Sequence, residues 1–272
     1  MALIEPGLLV PVRFSGSKVI RIADADETAD VTINVTADID WYNSGDNSTT
    51  VGEEDLIKQL QDDLNTGGAT LTPAVTFTLT LSARNILTIA ADNAVDVQWS
   101  HANTTFDPTV VGFTAVDTGS GTSHVAPDTT QGFWYPGTTS NSRHVREDTR
   151  PEPVTVGHLA ETIDGQSRGY ELTSSLGERT IQLQYIEREK ILVEYADASE
   201  PYGALEYVWK TSGMAKGRPT RWYDDKSSRT SSSYTKWRTK TRDRPWTKMD
   251  VSSLQRYEVL FLLREIAAAA PS

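Results

Sequence analysis

The stretch VTFTLTLSARNILTIAADNAVDVQWS, Val75 to Ser100, decides how this chain folds. Phe77, Leu79 and Leu81 alternate with Thr76, Thr78 and Thr80, the period-two pattern of a strand with one buried face. SARN (82–85) supplies a turn, and Ile86, Leu87 and Ile89 resume the apolar pattern. ADNA (91–94) supplies a second turn before Val95, Val97 and Trp99. Connections this short join antiparallel neighbours, so the stretch predicts a β-meander.

Upstream of the meander lies the clearest helical signal. Leu56, Ile57, Leu60 and Leu64 recur at helical spacing and form one apolar stripe. Thr49, Thr50 or Gly52 is the expected N-cap. Glu53, Glu54 and Asp55 would load the first turn with the charge that suits the positive end of the helix dipole. Gly67-Gly68 is the expected stop, which places the helix at about 53–65, packed on the sheet. Before it, VTINVTADIDWY alternates Val31, Ile33 and Val35, and the N-terminal MALIEPGLLVPVRF reads as a first strand rather than a signal peptide.

From Asp117 to Pro153 the composition turns to Gly, Ser, Thr, Asn and Pro, with QGFWYPG embedded. GTTSNSRHVREDTRPEP, 137–153, is the expected linker or arm. Strand patterns resume in RGYELTSSLG, TIQLQYI and ILVEYA. ALEYVWKTSG suits a short helix or a strand, and RPTRWYDD with SYTKWRTKT suits a hairpin. YEVLFLLREI, 257–266, reads as a buried strand, with a helix as the alternative. The expected class is mainly β with minor α (α+β). It comprises a β-rich domain at 1–136, the linker, and a second β-rich domain at 154–272, both with antiparallel sheets.

Composition narrows the chemistry. The chain of 272 residues is 38% hydrophobic, enough for real cores, and has no apolar run of about 18 residues that would span a membrane. It has no cysteine, which removes disulfides, thiolate metal sites and cysteine nucleophiles. The net charge of −11 is unevenly placed. Residues 1–142 hold 5 Lys and Arg against 18 Asp and Glu, whereas 210–248 holds 12 basic against 3 acidic residues. An acidic front and a basic back attract copies of the chain head to tail; the plainer alternative is two solvated faces.

Candidate chemistry is sparse. DADETAD (24–30) spaces its acids like a calcium loop, but Ala29 stands where glycine is needed and Val35 where a bidentate glutamate is needed, so a surface loop is the better reading. His101, His124, His144 and His158 form no i,i+4 pair and read as surface residues. Ser123, His124 and Asp128 are close in sequence, which is not triad geometry. No phosphate-binding glycine motif is present. No catalytic residue, metal ligand or cofactor is expected. Trp209, Arg218, Arg221, Trp222, Trp237, Arg238 and Trp246 interleave cations with aromatics. They read first as a protein interface, second as a buried strand and third as a nucleic-acid platform. Seven tryptophans and ten tyrosines on a β scaffold would also suit a sugar-binding surface.

The order of elements DLIKQLQDDLN, the meander, VVGFTA and GFWYPG resembles tail and baseplate proteins of tailed bacteriophages. In that pattern a short helix precedes a β-meander, then come a VxW-like strand end, an LGF-like tight turn and an aromatic–proline element. Val111 stands here in place of the leucine. The likeness covers about residues 30–137; LGERTIQLQY, EYVWKTSGMAKGRPTRWYDD and YEVLFLLRE are similar more loosely to tail proteins that set a β-domain around a tube. The resemblance implies a virion structural component in the tail, baseplate or neck, made in the host cytoplasm. It would act by assembly into a ring, often six-fold, with copies of itself and other tail or neck proteins, without catalysis. A receptor- or glycan-binding module of the tail is the alternative, and neither membrane nor nucleic acid is the expected partner. Gly112 would permit a tight turn, while Phe113, Phe133 and Trp134 would anchor the loops to the core.

Overall fold

The computed structural model describes residues 6–13, 16–35, 40–46, 54–82, 84–136, 145–148, 152–154, 157–161, 167–171, 176–196, 203–210, 214–216, 218–223, 236–240, 243–251 and 254–265. Its strands in the first half are β1 (Gly7–Leu9), β2 (Val12–Arg13), β3 (Lys18–Ala23), β4 (Thr28–Ile33), β5 (Asp40–Trp41), β6 (Phe77–Leu81), β7 (Ile86–Gln98), β8 (Gly121–Thr129) and β9 (Phe133–Trp134). The second half adds β10 (Val145–Asp148), β11 (Glu152–Val154), β12 (Gly157–Glu161), β13 (Ser167–Glu171), β14 (Leu176–Glu187), β15 (Thr220–Tyr223), β16 (Lys236–Thr239), β17 (Trp246–Val251) and β18 (Leu254–Glu265). The helices are α1 (Leu56–Gly68), α2 (Arg188–Ile191) and α3 (Leu205–Lys210). The protein is mainly β with antiparallel sheets, as its alternation predicts.

The first sheet runs β4-β3-β7-β6, with β8 also on β7. Phe77, Leu79, Leu87, Ile89, Val95 and Val97 all point into one core, where they meet Leu56, Ile57, Leu60 and Leu64 of α1. The helix does more than cover the sheet. Asn65 Oδ1 accepts from the Phe77 N–H at 2.6 Å and Gln61 Oε1 from the Leu79 N–H at 2.8 Å, which occupies the outer edge of β6. Asp63 accepts from the backbone N–H of Asn34 at 2.7 Å, just beyond β4. Polar side chains of one helix thus satisfy backbone groups at two strand edges, which would otherwise be open to pairing.

Three details of this half differ from the sequence reading. The helix begins at Leu56, with Asp55 as its N-cap: Asp55 Oδ1 accepts from the Ile57 N–H at 3.0 Å, a cap worth about 1 kcal/mol. Glu54 therefore precedes the helix, and the helix runs through Gly67-Gly68 because Gly68 sits against the Val75 carbonyl, with no room for a side chain. ADNA is no turn. β7 is one strand of 13 residues that bends at an irregularity in its pairing with β8 between Ala90 and Val95. β8 itself falls where a polar loop was expected; four of its nine residues are Gly, Ser or Thr, but His124, Ala126 and Asp128 alternate inward. The turn at 82–85 is as predicted, with Asn85 in the left-handed region at φ 61°. In the Asp24 to Asp30 loop, Asp24 Oδ1 accepts from the Asp26 and Glu27 N–H groups, which makes a tight surface turn between β3 and β4.

The second sheet runs β10-β14-β18-β16-β15-β1-β9, with β11 on β14 and β17 on β18. β18 is its backbone: Tyr257, Val259, Phe261 and Leu263 face the core, and Glu258, Leu260, Leu262 and Arg264 alternate with them on the other face. The hairpin expected around 218–239 is present as β15 and β16, with Thr220 opposite Trp237. ALEYVWK forms α3, but the expected strand ILVEYA is instead the end of α2 and a 3-10 turn, Val193–Tyr195. Two strands from the first half, β1 and β9, complete this sheet, so its core mixes Leu8, Val10 and Trp134 with residues 181–263. Val145–Asp148 and Glu152–Val154, inside the expected linker or arm, pair with β14; the rest of 137–153 lies outside the described residues.

Candidate functional site

The tryptophans of the basic–aromatic stretch prove to be core residues. Trp209 on α3 meets Trp246 on β17 edge-on, with ring centres 6.4 Å apart. Trp222 on β15 lies 6.0 Å from Phe261, and Trp237 on β16 is buried opposite Thr220. All seven tryptophans are buried, none more than 7% exposed. The interface role expected for Trp209, Trp222, Trp237 and Trp246 is therefore corrected: their faces are used up within the chain's own second core. The same burial removes tryptophan as a stacking platform for sugars or bases. Arg218 is half-buried, and of the three arginines in the set only Arg238 is exposed.

Arg221 has the opposite fate from a surface cation. Its guanidinium lies 3.6 Å above the Tyr42 ring, and its Nη1 donates to Asp46 Oδ2 at 3.1 Å, with both side chains fully buried. The pair joins residues 175 apart in sequence. Tyr42 in turn donates its backbone N–H to Glu54 and accepts from the Leu56 N–H, immediately at the N-terminus of α1. Leu9, Tyr42, Phe133, Tyr135 and Tyr223 form a small aromatic cluster around this point. The junction between the two cores is thus an ion pair seated on an aromatic ring, and nothing in the periodicity of the sequence signals it.

The four loop anchors are all placed at structural pivots. Gly112 ends a 3-10 turn, Pro108–Val111, at φ 82°, and a Cβ there would meet the Asp128 carbonyl at 2.2 Å. Only glycine fits that conformation and that gap. Phe113 packs on Trp99 at 5.4 Å in the first core. Phe133 belongs to the aromatic cluster at the junction. Trp134, fully buried, donates its indole N–H to the Lys190 carbonyl at 2.7 Å and meets Phe261 edge-on at 5.8 Å. Phe113 and Trp134, expected to anchor loops to one core, therefore lock into two different cores.

Beside Gly112, residues 113–118 run past β8 and enclose with it a groove of about 310 Å³, lined among others by Val116, Asp117, Ser123 and Val125. Ser123 is exposed, whereas His124 is buried with Nε2 2.9 Å from the Val95 carbonyl, a bond that needs the proton on Nε2. Adjacent strand residues point to opposite faces, so Ser123 and His124 do not form a nucleophile–base pair, and the surface reading of His124 is corrected. His101 is half-buried; His144 lies outside the described residues, and of His158 only the backbone is described. Among the described residues no three acidic or histidine side chains group to hold a metal ion. No described helix is long and apolar enough to cross a membrane.

On the outer face of the second sheet Glu178 receives Lys240 Nζ at 2.8 Å and Arg264 Nη2 at 2.7 Å. These hydrogen bonds, the one from Lys240 foremost, hold its carboxyl below the usual glutamate range. Arg238 lies opposite Arg264 on the same face.

No model of a known protein family matches the chain, and no curated protein matches it.

Proposed function

We propose that this chain is a structural subunit of a tailed-phage virion, in the tail, baseplate or neck, that works by assembly with copies of itself and with other tail or neck proteins. One observation carries the reading furthest: the residues on which the resemblance rests are all architectural. Gly112, Phe113, Phe133 and Trp134 set a turn, fill two cores and join the junction between them. Such residues build a rigid block whose surfaces are its working parts. The opposed charge of residues 1–142 and 210–248 supports contact between copies.

A receptor- or glycan-binding module remains the second reading, favoured by the exposed Tyr185, the one large aromatic among the most exposed apolar side chains of the described residues. With every tryptophan buried, that surface would have to rely on tyrosine and polar contacts.

The test is the mass of the purified protein in solution by light scattering, at low and high salt. A discrete multimer, about 180 kDa for six copies of a 30.0 kDa chain, that loosens with salt is expected. A monomer at every concentration, together with binding on a glycan array, would overturn self-assembly in favour of the second reading.

A further inference from the structure

We propose that the groove between residues 113–118 and β8 is a docking site for a second copy of this chain, and that its occupant is the segment Arg244–Lys248 of that copy, presented through its exposed Arg244, Thr247 and Lys248. The proposal rests on the reading of the chain as a self-assembling subunit and names the surface it uses.

Three features single out the groove. Val116 and Val125, 67% and 61% exposed, are the two most exposed large apolar side chains among the described residues, and both line it. A lone exposed valine is ordinary, but two converging on one concavity mark a contact surface. β8 is an outer strand of its sheet: among the described residues it pairs with no strand but β7, and its Asp128 N–H bonds the Gly112 carbonyl, which sets residues 113–118 beside it. Finally, the charge is one-sided. Asp117 lines the groove, no Lys or Arg does, and the surrounding half of the chain carries 18 acidic against 5 basic residues.

An occupant must therefore bring positive charge on an extended segment. The chain carries one: 210–248 holds 12 basic against 3 acidic residues, and within it Arg244, Thr247 and Lys248 are exposed. β17, which starts at Trp246, pairs only with β18 among the described residues, so a side of it is left to meet a neighbour. Groove and segment are different surfaces of one chain. Their contact is heterologous and repeats from copy to copy, as a ring requires.

Sedimentation velocity over a range of concentrations at low salt tests this with the full chain. The comparison is between wild type, Val116→Asp with Val125→Asp, and Arg244→Glu with Lys248→Glu. All four sites are exposed or on an exposed rim, so melting temperatures should stay at the wild-type value. Each double variant should weaken association at least ~10-fold. Asp117→Lys should recover part of the loss in the Arg244→Glu/Lys248→Glu background. If folded groove variants assemble like wild type, the groove is wrong while self-assembly stands. If only the groove variants weaken, the basic segment is wrong as the occupant. If wild type itself is monomeric at every concentration, the proposal and the self-assembly reading fall together. Should the groove variants fail to fold, the basic-segment pair and its rescue decide alone.

Discussion

Truncating Trp134 to alanine should destabilise the second core although the residue belongs to the first half of the sequence. The side chain is fully buried, and it meets Phe261 edge-on at 5.8 Å. Removing a buried tryptophan costs about 3–5 kcal/mol through lost transfer energy and the cavity left behind. The loss should lie toward the upper end of that range, because the Lys190 carbonyl, now 2.7 Å from the indole N–H, would lose its donor. For a chain of this size the shift in melting temperature is about 6–20 °C, from about 2–4 °C per kcal/mol. Trp134→Phe keeps a phenyl in the core but loses the donor and part of the ring volume, so it should cost less than Trp134→Ala. Thermal melts give the totals, and amide hydrogen exchange gives the location. Exchange in Trp134→Ala should rise first in β1, β15 and β18, which surround the ring, and later or not at all in β6 to β8. A melting temperature within about 2 °C of wild type would refute the placement of Trp134 in a packed core. Faster exchange confined to β6 to β8 would refute its assignment to the second core.

Asp46→Asn should cost about 3–5 kcal/mol by removing the carboxylate paired with the buried Arg221, and adding Arg221→Met should restore most of that loss in urea melts. If the double variant is no better than the single one, the ion pair is not what joins the cores there. Gly112→Ala should destabilise by more than about 1 kcal/mol, since the position needs a left-handed backbone and has the Asp128 carbonyl where a Cβ would go; an unchanged midpoint would place the turn elsewhere. Glu178 has its folded pKa lowered by Lys240 and then Arg264, so its stabilisation is present above the ordinary glutamate pKa and is lost as pH falls through the depressed value. The stability gap between wild type and Glu178→Gln should therefore begin to narrow as pH falls below the ordinary glutamate pKa of about 4, and a gap that never narrows in acid would contradict the pairing.

Local pattern carried much of this architecture. Period-two alternation located β6, the start of β7, β4, β14 and β18, because a strand with one buried face must alternate, and no other regular structure does so over such lengths. The stripe Leu56, Ile57, Leu60 and Leu64 located α1 for the corresponding reason at a period of 3.6. Glycine in VVGFTA and the aromatics of QGFWYPG also showed themselves as a turn and as anchors, since those residue types have few other uses in such a setting. Where the cues were weak the reading failed. ADNA looks like a turn, yet β7 runs through it: pairing with β6 ends at Ala91, the register on β8 slips between Ala90 and Val95, and Asp92 exchanges hydrogen bonds with Thr76 to carry the strand across. β8 looks like a loop, because its inward side chains include His124 and Asp128 in place of aliphatic residues.

What only the tertiary structure decided is which surfaces are inside. A tryptophan beside an arginine reads the same in sequence whether it faces solvent or a core. Burial depends on strands more than a hundred residues apart being brought into register, as Leu8 with Trp222 and Trp134. That closure turned the expected aromatic interface into core and hid Arg221 beneath Tyr42 and Asp46. It also left Val116 and Val125 facing outward together, 9 residues apart in sequence but on one groove. Periodicity records what each residue wants from its own element; only packing between distant elements determines which of those faces meets water.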